Sequence, residues 1–437
     1  MKYFITTYGC QMNLHESEKI AGILTELGYS ACDNETQADI IVFNTCCIRE
    51  NAEDRAEGNI GALKRLKKEN KNLIIAVGGC MTQQKDYAQT LHEKFPFIDI
   101  IFGTHNLENF KELLLEKQKR KKALISIDEK EGPIKEGTPK TRTSFPNAWV
   151  NITYGCNNFC TYCIVPYVRG RERSRKMSDI VAECKQLIKD GYKEITLLGQ
   201  NVNSFGNGAD EDFATLITEI SKIEGKFRLK FMTNHPKDFS EKLIKAISES
   251  EKVCKTVHLP VQAGSNRILK LMNRRYTRED YFAKIDTLRK YIPDVSITTD
   301  IMVGFPTETE EDFLDTIDLV NRVQYAGAFT FVYSKRKGTP ASTMDGQIDE
   351  EVSKARIMKL IDLQNSINKK QSEGYLGKTV EILCEGYDDK REMYLGRDTY
   401  GRMVYFKGNE SHFGNFVNVK ITKTGGISLI GQLQQDN

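Results

Sequence analysis

The stretch Cys156-Asn-Asn-Phe-Cys160-Thr-Tyr-Cys163 places three cysteines at the spacing Cys-x3-Cys-x2-Cys. A single short loop can present three thiolates to a common metal centre. A structural zinc site needs four protein ligands, and no fourth cysteine or histidine stands at the usual short spacing from this loop. Three thiolates on a four-iron cluster, by contrast, leave one iron open to a small molecule. The spacing therefore predicts an iron-sulfur cluster with an open iron.

The residues around this loop alternate between β-rich and helical patterns. Short β-rich runs stand near residues 148–153, 194–198, 228–232, 256–259, 296–303 and 328–333. Six such units predict a partial (β/α)6 barrel over residues 147–373, because the stretch 350–374 has the pattern of one long helix rather than of two further units. The cysteine loop leaves the first strand at its C-terminal end, where barrel enzymes place their chemistry.

Two further domains are predicted on either side of the barrel. Near the N-terminus, β-rich runs at 3–7, 39–43, 73–77 and 98–102 alternate with helical patterns. This alternation predicts a doubly wound parallel α/β domain over residues 1–116. The stretch 117–146 is rich in Lys, Gly and Pro and is interpreted as a linker. Short β-rich runs farther on predict a small five-stranded β-barrel over residues 374–437.

The size and composition of the chain limit the class of protein. Its 437 residues correspond to roughly three domains at about 150 residues each. No apolar run approaches the ~18 residues of a membrane helix, and the first ten residues lack a secretory pattern. We therefore expect a cytoplasmic protein without a membrane partner. The net charge of +3 is too small to indicate a nucleic-acid partner by itself.

Cysteines also follow the first three predicted strands of the N-terminal domain. Cys10 follows the first strand, Cys46 the second and Cys80 the third. The carboxyl ends of parallel strands lie along one edge of a sheet, so these thiols should converge there. The pattern predicts a second metal or cluster site with three protein ligands. Cys47 stands beside Cys46, and spacing alone does not decide between the two.

Polar residues and a glycine stand at the C-terminal ends of the barrel strands, on the predicted catalytic face. They are Gln200, Asn201, Asn234, His235, Gln262 and Gly304. Each polar residue could equally cap the helix that follows it.

A row of arginines lies just beyond the cysteine loop, at positions 169, 171, 173 and 175. In an extended chain these four guanidinium groups would share one face. Such a face suits phosphate contacts, although a solvated charged surface is the alternative.

These motifs resemble those of a known enzyme family. The cysteine loop, with Tyr162 in an aromatic position, resembles the Cys-x3-Cys-x-aromatic-Cys signature of the radical S-adenosylmethionine (SAM) enzymes. Further stretches look like motifs of the radical SAM methylthiotransferases: Tyr8-Gly9-Cys10, Asn44-Thr45-Cys46, Gly78-Gly79-Cys80, His258-Leu259-Pro260 and Gly304-Phe305-Pro306. The final β-rich segment is similar to their TRAM domain, so the resemblance covers essentially the whole chain.

Within that family the motifs are most similar to the enzymes that modify N6-isopentenyladenosine (dimethylallyladenosine) in tRNA. The similarity rests on residues 9–13, 48–50 and 154–158. The family more often has Ser at the position of Cys47, whereas the alignment of Asn44-Thr45-Cys46 favours Cys46 as a ligand.

The resemblance implies a radical reaction with two four-iron clusters and SAM. SAM would bind the open iron of the cluster on Cys156, Cys160 and Cys163, and one electron would break its carbon-sulfur bond. The resulting 5′-deoxyadenosyl radical would take hydrogen from carbon 2 of adenine, a position too inert for acid-base chemistry. A second cluster on Cys10, Cys46 and Cys80 would hold the sulfur, methylated by another SAM, that joins the ring.

The resemblance also implies binding residues and partners. The residues expected near SAM are Tyr162, Gln200, Asn201, Asn234, Gln262 and Gly304. The expected substrate is tRNA beside the anticodon, with Arg171 and Arg173 among the phosphate contacts. We expect a monomer, and an electron donor that the sequence does not identify.

Two other interpretations stay open. The same chemistry could act on a ribosomal-protein side chain or on threonylcarbamoyl-adenosine in tRNA. A two-cluster electron-transfer or sensor protein would also explain the cysteines, but it would give no use for the barrel or for the arginine row.

Overall fold

The computed structural model describes residues 1–47, 50–206 and 211–434. The described chain divides into two compact units. The first contains Met1–Thr143, Thr153–Phe159 and Cys163–Arg175. The second contains Ser144–Ile152, Cys160–Tyr162 and the described residues from Lys176 onward. The predicted domain boundaries stay predictions.

The first unit contains a six-stranded sheet flanked by helices. Its strands are β1 (Lys2–Thr7), β2 (Ser30–Ala31), β3 (Ile40–Thr45), β4 (Ile74–Gly79), β5 (Ile100–Phe102) and β6 (Leu124–Ser126). Its helices are α1 (Gln11–Glu26), α2 (Glu50–Glu69), α3 (Tyr87–Lys94) and α4 (Phe110–Lys119). The strand order is β2-β1-β3-β4-β5-β6, and every neighbouring pair is parallel. The doubly wound α/β fold is therefore confirmed.

The two faces of this sheet have separate hydrophobic cores. Strand β3 is buried over its whole length, as expected of a strand covered on both faces. Ile40 and Val42 pack with α1 and α4, whereas Ile41 and Phe43 pack with α2 and α3. Helices on both faces hold the strands in place, and they thereby fix the loops at the strands' carboxyl ends.

The cysteine loop lies between β7 (Asn147–Asn151) and α6 (Met177–Lys189). This stretch forms the short strands β8 (Thr153–Tyr154) and β9 (Arg173–Ser174), which pair antiparallel, and the short helix α5 (Val165–Arg169). A proline in the first turn of α5 costs no hydrogen bond, because that nitrogen has no partner within a helix. The elements β8, α5 and β9 belong to the first unit, whereas β7 and α6 belong to the second.

The second unit begins with a partial barrel of six strands. After β7 they are β10 (Glu194–Leu198), β11 (Arg228–Phe231), β12 (Thr256–His258), β13 (Ser296–Val303) and β14 (Gly327–Val332). The helices after α6 are α7 (Phe213–Ser221), α8 (Glu241–Glu249), α9 (Asn266–Leu271), α10 (Arg278–Tyr291), α11 (Glu310–Val323) and α12 (Glu350–Glu373). The strands form two parallel sheets, β11-β10-β7 and β12-β13-β14, and a bridge between Leu229 and Val253 continues the first beyond β11. The six-unit barrel is confirmed.

The second unit ends with a closed five-stranded barrel, as predicted. Its strands are β15 (Thr379–Asp388), β16 (Met393–Asp398), β17 (Met403–Phe406), β18 (Phe416–Gly425) and β19 (Ser428–Leu433), in the order β15-β16-β17-β19-β18. Gly396 allows β15 and β16 to approach closely, because a Cβ there would lie 2.0 Å from the carbonyl oxygen of Leu383. Among the described residues, no helix is both long and apolar enough to cross a membrane.

Candidate functional site

The structure places the N-terminal cysteines at the ends of three neighbouring strands. Cys10 comes shortly after β1, Cys46 and Cys47 come directly after β3, and Cys80 directly follows β4. These strands are adjacent in the order β1-β3-β4. The carboxyl edge of a doubly wound sheet is where ligands bind, next to the point at which the strand order reverses.

Two glycines let the chain pack tightly at this edge. Gly9 has a φ of +106°, and a Cβ there would lie 2.5 Å from the Cβ of Cys46. Gly79 has a φ of +107°, and a Cβ there would lie 2.3 Å from the carbonyl oxygen of Thr45. Both positions combine a left-handed backbone with contact distances that exclude a side chain, so both require glycine.

Asn13, in the first turn of α1, ties the strand ends together. Its Nδ2 donates to the carbonyl oxygens of Tyr8 at 2.8 Å and Thr45 at 3.0 Å. Its backbone oxygen accepts a hydrogen bond from Asn44 Nδ2 at 2.8 Å. One buried amide therefore links the loop after β1 to the end of β3.

Cys46 and Cys47 have different surroundings. Cys46 packs in the core that contains Tyr8 and Phe43. Cys47 packs against Cys80 in a small cluster with Ile164 and Val168, and its thiol is hydrogen-bonded to Cys80. The choice of Cys46 as a cluster ligand stays a prediction, and Cys47 is the competing ligand.

Arg169 is buried beside Cys80. Its Nε donates to Cys80 Sγ at 3.1 Å. The two terminal nitrogens form a double ion pair with Glu16, at 2.6 and 3.1 Å. One of them also donates to Asn13 Oδ1 at 2.7 Å, and the other contacts Met12 Sδ at 3.0 Å. An arginine carries five N–H donors, and here all five have an acceptor.

This environment changes the acidity of the thiols. The hydrogen bond with Cys47 and the positive charge of Arg169 lower the pKa of Cys80 to about 7, against the opposing effect of burial. The hydrogen bond with Cys80, together with burial, raises the pKa of Cys47 well above its ordinary value. The lowered pKa of Cys80 increases its thiolate fraction near neutral pH, and the thiolate is the form in which cysteine binds metals.

The barrel cysteines have a second buried arginine. Cys160, in the second unit, is 3.4 Å from Arg274 Nη1. Arg274 also donates from Nη2 to the carbonyl oxygen of Pro260 at 2.7 Å and from Nε to the hydroxyl of Tyr276 at 2.9 Å. Cys156 and Cys163 belong to the first unit. Within the parts of the chain that are described, no group of three or more His, Cys, Asp or Glu side chains is arranged to hold a single metal ion.

The residues predicted near SAM differ in what they contact. Tyr162 packs against the barrel core, and Gln200 is half-buried. The Nδ2 atoms of Asn201 and Asn234 donate to Asp238 Oδ2 at 2.7 Å and to the carbonyl oxygen of His258 at 2.8 Å. These asparagines are buried, and within the described residues their side-chain oxygens have no hydrogen-bond partner.

Gln262 and Gly304 both adopt left-handed backbone conformations at strand ends. Gln262 has a φ of +73° and pairs with Ile301 through an isolated parallel bridge. At Gly304, where φ is +72°, a Cβ would lie 2.3 Å from Ser353 Oγ. The packing of α12 therefore already explains the glycine, and close approach of adenine stays a prediction.

The arginine row does not form one extended face. Arg169 ends helix α5 and is buried, and Arg175 is also buried, with Nε and Nη2 paired to Glu136 at 2.8 and 2.7 Å. Arg171 is exposed, with its guanidinium 4.4 Å from the centre of the Phe159 ring. Arg173 is half-buried and donates to the carbonyl oxygen of Gly132. The expectation of four guanidiniums on one face is wrong, because the first of them lies in a helix.

Sequence reasoning missed three residues of these sites. It placed Arg169 only in the arginine row, and it did not single out Arg274 or Glu16. The contacts of Arg169 reach residues more than 80 positions away, so no local pattern could indicate them. The Asn13 amide lies within a quoted motif, but its link between two strands appears only in the fold.

Three family models match the chain. The model described as Uncharacterized protein family UPF0004 matches residues 2–103. The Radical SAM superfamily model matches residues 150–320, and the TRAM domain model matches residues 373–433.

Curated relatives match over nearly the full length. A protein of Thermoanaerobacter pseudethanolicus is 53% identical over 434 residues, covering 99% of this chain and 92% of the relative. A protein of Clostridium tetani is also 53% identical over 434 residues, covering 98% of this chain and 96% of the relative. Both are named tRNA-2-methylthio-N(6)-dimethylallyladenosine synthase. This chain belongs to that synthase family. The resemblance to the methylthiotransferases is thereby confirmed.

Solved structures share the fold of this synthase-family chain. A radical SAM methyltransferase from Kitasatospora setae, bound to tryptophan and a SAM analogue, has a TM-score of 0.58 at 14% identity and covers 78% of this chain and 75% of that chain. A cobalamin-dependent SAM radical enzyme has a TM-score of 0.53 at 13% identity and covers 84% of this chain and 57% of that chain. At these identities the likeness concerns the fold alone.

Proposed function

We propose that this protein attaches a methylthio group to carbon 2 of N6-dimethylallyladenosine beside the anticodon in tRNA, and that it works in the cytoplasm as a monomer. The family membership supports the reaction, because the relatives at 53% identity are named for this product. The structural observation that carries the proposal is the presence of two cysteine trios, one at the edge of the N-terminal sheet and one in the loop after β7.

Cys10, Cys46 and Cys80 would hold the second cluster at the edge of the N-terminal sheet. The donor set fits, because thiolates are the ligands that iron-sulfur clusters prefer. Arg169 also fits a cluster at this edge, because its Nε donates a charge-assisted hydrogen bond to Cys80 Sγ. Gly9 and Gly79 let the chain after β1 pack against Cys46 and the end of β4 pack against Thr45.

Cys156, Cys160 and Cys163 would hold the cluster that binds SAM. Bound there, cluster and SAM would supply one-electron chemistry that removes hydrogen from an inert ring carbon. The buried side-chain oxygens of Asn201 and Asn234 are available to accept hydrogen bonds from the amino or hydroxyl groups of SAM. Tyr162, Gln200, Gln262 and Gly304 are further proposed contacts.

Arg171 and Arg173 are the proposed phosphate contacts for tRNA. Arg171 is exposed, and its stacking on Phe159 holds the guanidinium in a defined place. The electron needed for each turnover would come from a separate donor protein or reductant.

The test is a turnover assay with tRNA that carries or lacks the isopentenyl group. Anaerobically reconstituted protein, SAM and a reductant are incubated with each tRNA, and the nucleosides are analysed by mass spectrometry. We expect methylthiolation of the isopentenylated adenosine only, because burying a five-carbon group contributes about 0.8 kcal/mol per CH₂. Equal modification of the unmodified adenosine would contradict the proposed substrate, and absence of any product would contradict the proposed reaction.

The control is protein in which Cys156, Cys160 and Cys163 are replaced together by Ala. It should give no methylthio product and no 5′-deoxyadenosine. Product from this variant would show that the modification arises from a contaminant.

A further inference from the structure

Each cysteine trio has one cysteine in contact with a buried arginine. Arg169 donates to Cys80 Sγ at 3.1 Å, and Arg274 donates to Cys160 Sγ at 3.4 Å. Each pair lies within a single unit of the fold. Both arginine residues are almost fully buried, at 5% and 4% exposure. Arginine is rarely buried to this degree unless its charge and its donors are used.

The two arginines are held in different ways. Glu16 faces Arg169 with both carboxylate oxygens, so the charge of the guanidinium is already balanced before Cys80 is considered. Arg274 is held by neutral groups, the carbonyl oxygen of Pro260 and the hydroxyl of Tyr276. In both cases the other contacts fix the guanidinium plane and aim one N–H at a cysteine sulfur.

We propose that Arg169 and Arg274 are positioning residues, each of which holds one cluster-ligand cysteine and donates a hydrogen bond to its sulfur when the cluster is bound. The proposal rests on the cluster assignment given under Proposed function. Groups that hydrogen-bond to metal ligands orient them and alter the properties of the metal. For iron-sulfur clusters, hydrogen bonds to the sulfurs and nearby charge set the reduction potential.

Because Arg169 and Glu16 carry opposite charges, replacing one or the other should shift the midpoint potential of the cluster in opposite directions. Arg169→Met removes the donor and leaves the carboxylate of Glu16 unbalanced, which disfavours adding an electron to the cluster. The midpoint potential should therefore become more negative. Glu16→Gln keeps a hydrogen-bonding side chain but leaves the positive charge unbalanced, so the potential should become more positive. A purely structural role would not produce shifts of opposite sign.

The experiment measures one cluster at a time in the full chain. The second cluster is studied after Cys156, Cys160 and Cys163 are changed to Ala, and the barrel cluster after Cys10, Cys46 and Cys80 are changed to Ala. Arg169→Met, Glu16→Gln and Arg274→Met are introduced into each background. Iron content, resistance to a chelator and the midpoint potential, followed by electron paramagnetic resonance, are recorded. Arg175→Met is the matched control, because Arg175 is a buried arginine of the same unit in a double ion pair with Glu136.

We expect each arginine to affect its own cluster. Arg169→Met should shift the potential of the second cluster and weaken iron retention roughly 10–100-fold, the usual effect of losing a group that supports a metal ligand. Arg274→Met should do the same only for the barrel cluster, and Arg175→Met should change neither. Circular dichroism identifies variants that fail to fold. If Arg169→Met fails to fold, Arg169→Lys, which keeps the positive charge, takes its place in the comparison with the parent protein.

Two results would overturn the inference. One is an unchanged potential and unchanged iron retention in Arg169→Met and Arg274→Met. The other is an equal shift of both clusters by either variant. If the parent backgrounds themselves bind no iron, the proposed function fails first, so the two failures are distinguishable.

Discussion

The two cysteine trios reach their positions by different routes. Cys156, Cys160 and Cys163 lie on one loop, so their separation is set mainly by eight residues of sequence. Cys10, Cys46 and Cys80 come from three separate loops, and only the folded sheet places the three strand ends before them side by side. The first arrangement is local, whereas the second depends on the packing of a whole domain. Substitutions far from the cysteines should therefore disturb the N-terminal site more readily than the loop.

The largest effect is expected when one cysteine trio is removed and the other is kept. Replacing Cys156, Cys160 and Cys163 by Ala should leave one cluster and abolish 5′-deoxyadenosine, although slow formation of S-adenosylhomocysteine can persist. Replacing Cys10, Cys46 and Cys80 should also leave one cluster but spare 5′-deoxyadenosine. Iron, sulfide and both nucleosides are assayed. If either triple variant kept the full iron content, the assignment of that trio would be wrong.

A second prediction concerns the two neighbouring cysteines after β3. Cys46→Ala should lose the iron of the second cluster, whereas Cys47→Ala should keep most of it. The contact between Cys47 and Cys80 makes the comparison informative, because a thiol already beside one proposed ligand could replace the other. Iron is measured with the barrel cysteines changed to Ala. A large loss in Cys47→Ala alone would move the ligand role to Cys47.

The third prediction tests whether the N-terminal site depends on packing. Gly9→Ala should destabilise the protein by the roughly 1–2 kcal/mol of a left-handed side chain plus roughly 1–3 kcal/mol for overpacking against Cys46. It should also reduce iron binding at the N-terminal site. Thermal unfolding and iron content are the measurements.

Gly28→Ala is the matched control for this substitution. Gly28 has a φ of +81°, lies in the same domain and has no atom within 4 Å of an added Cβ. Gly28→Ala should lose only the stability that a left-handed side chain costs, and the protein should keep its iron. Equal losses of stability in the two variants would show that the approach of Gly9 to Cys46 is unimportant.

The smallest expected effect is on tRNA binding. Each phosphate contact with a flexible single strand adds about 0.7 to the slope of log affinity against log salt, so replacing Arg171 and Arg173 together by Ala should flatten the slope by about 1.4. Both clusters should remain. Replacing the exposed Arg65 and Lys68 of α2 by Ala is the control, expected to leave the slope unchanged. An unchanged slope in the first variant would identify the arginines as solvated surface.

The comparison of the two sites also explains what the sequence could predict. The cysteine loop could be singled out because its proposed ligands share one short motif. The N-terminal trio was predictable only through topology, since parallel strands end on one edge. Strands β2 and β6 were missed because two or three residues carry no periodic pattern, and β6 lies within the predicted linker. Arg169 was misplaced because it is the last residue of the short helix α5 and not part of an extended chain.

The antiparallel pair of strands β8 and β9 limits where the chain can be divided. Residues 153–159 and 163–175 belong to the first unit, although β7 precedes them and belongs to the second. A fragment ending at Thr143 would keep Glu16 but lose Arg169, and removing one partner of a buried ion pair costs about 3–5 kcal/mol. The N-terminal domain is therefore not a module that ends at Thr143: a chimera should preserve its fold only if it keeps an arginine at position 169 opposite Glu16.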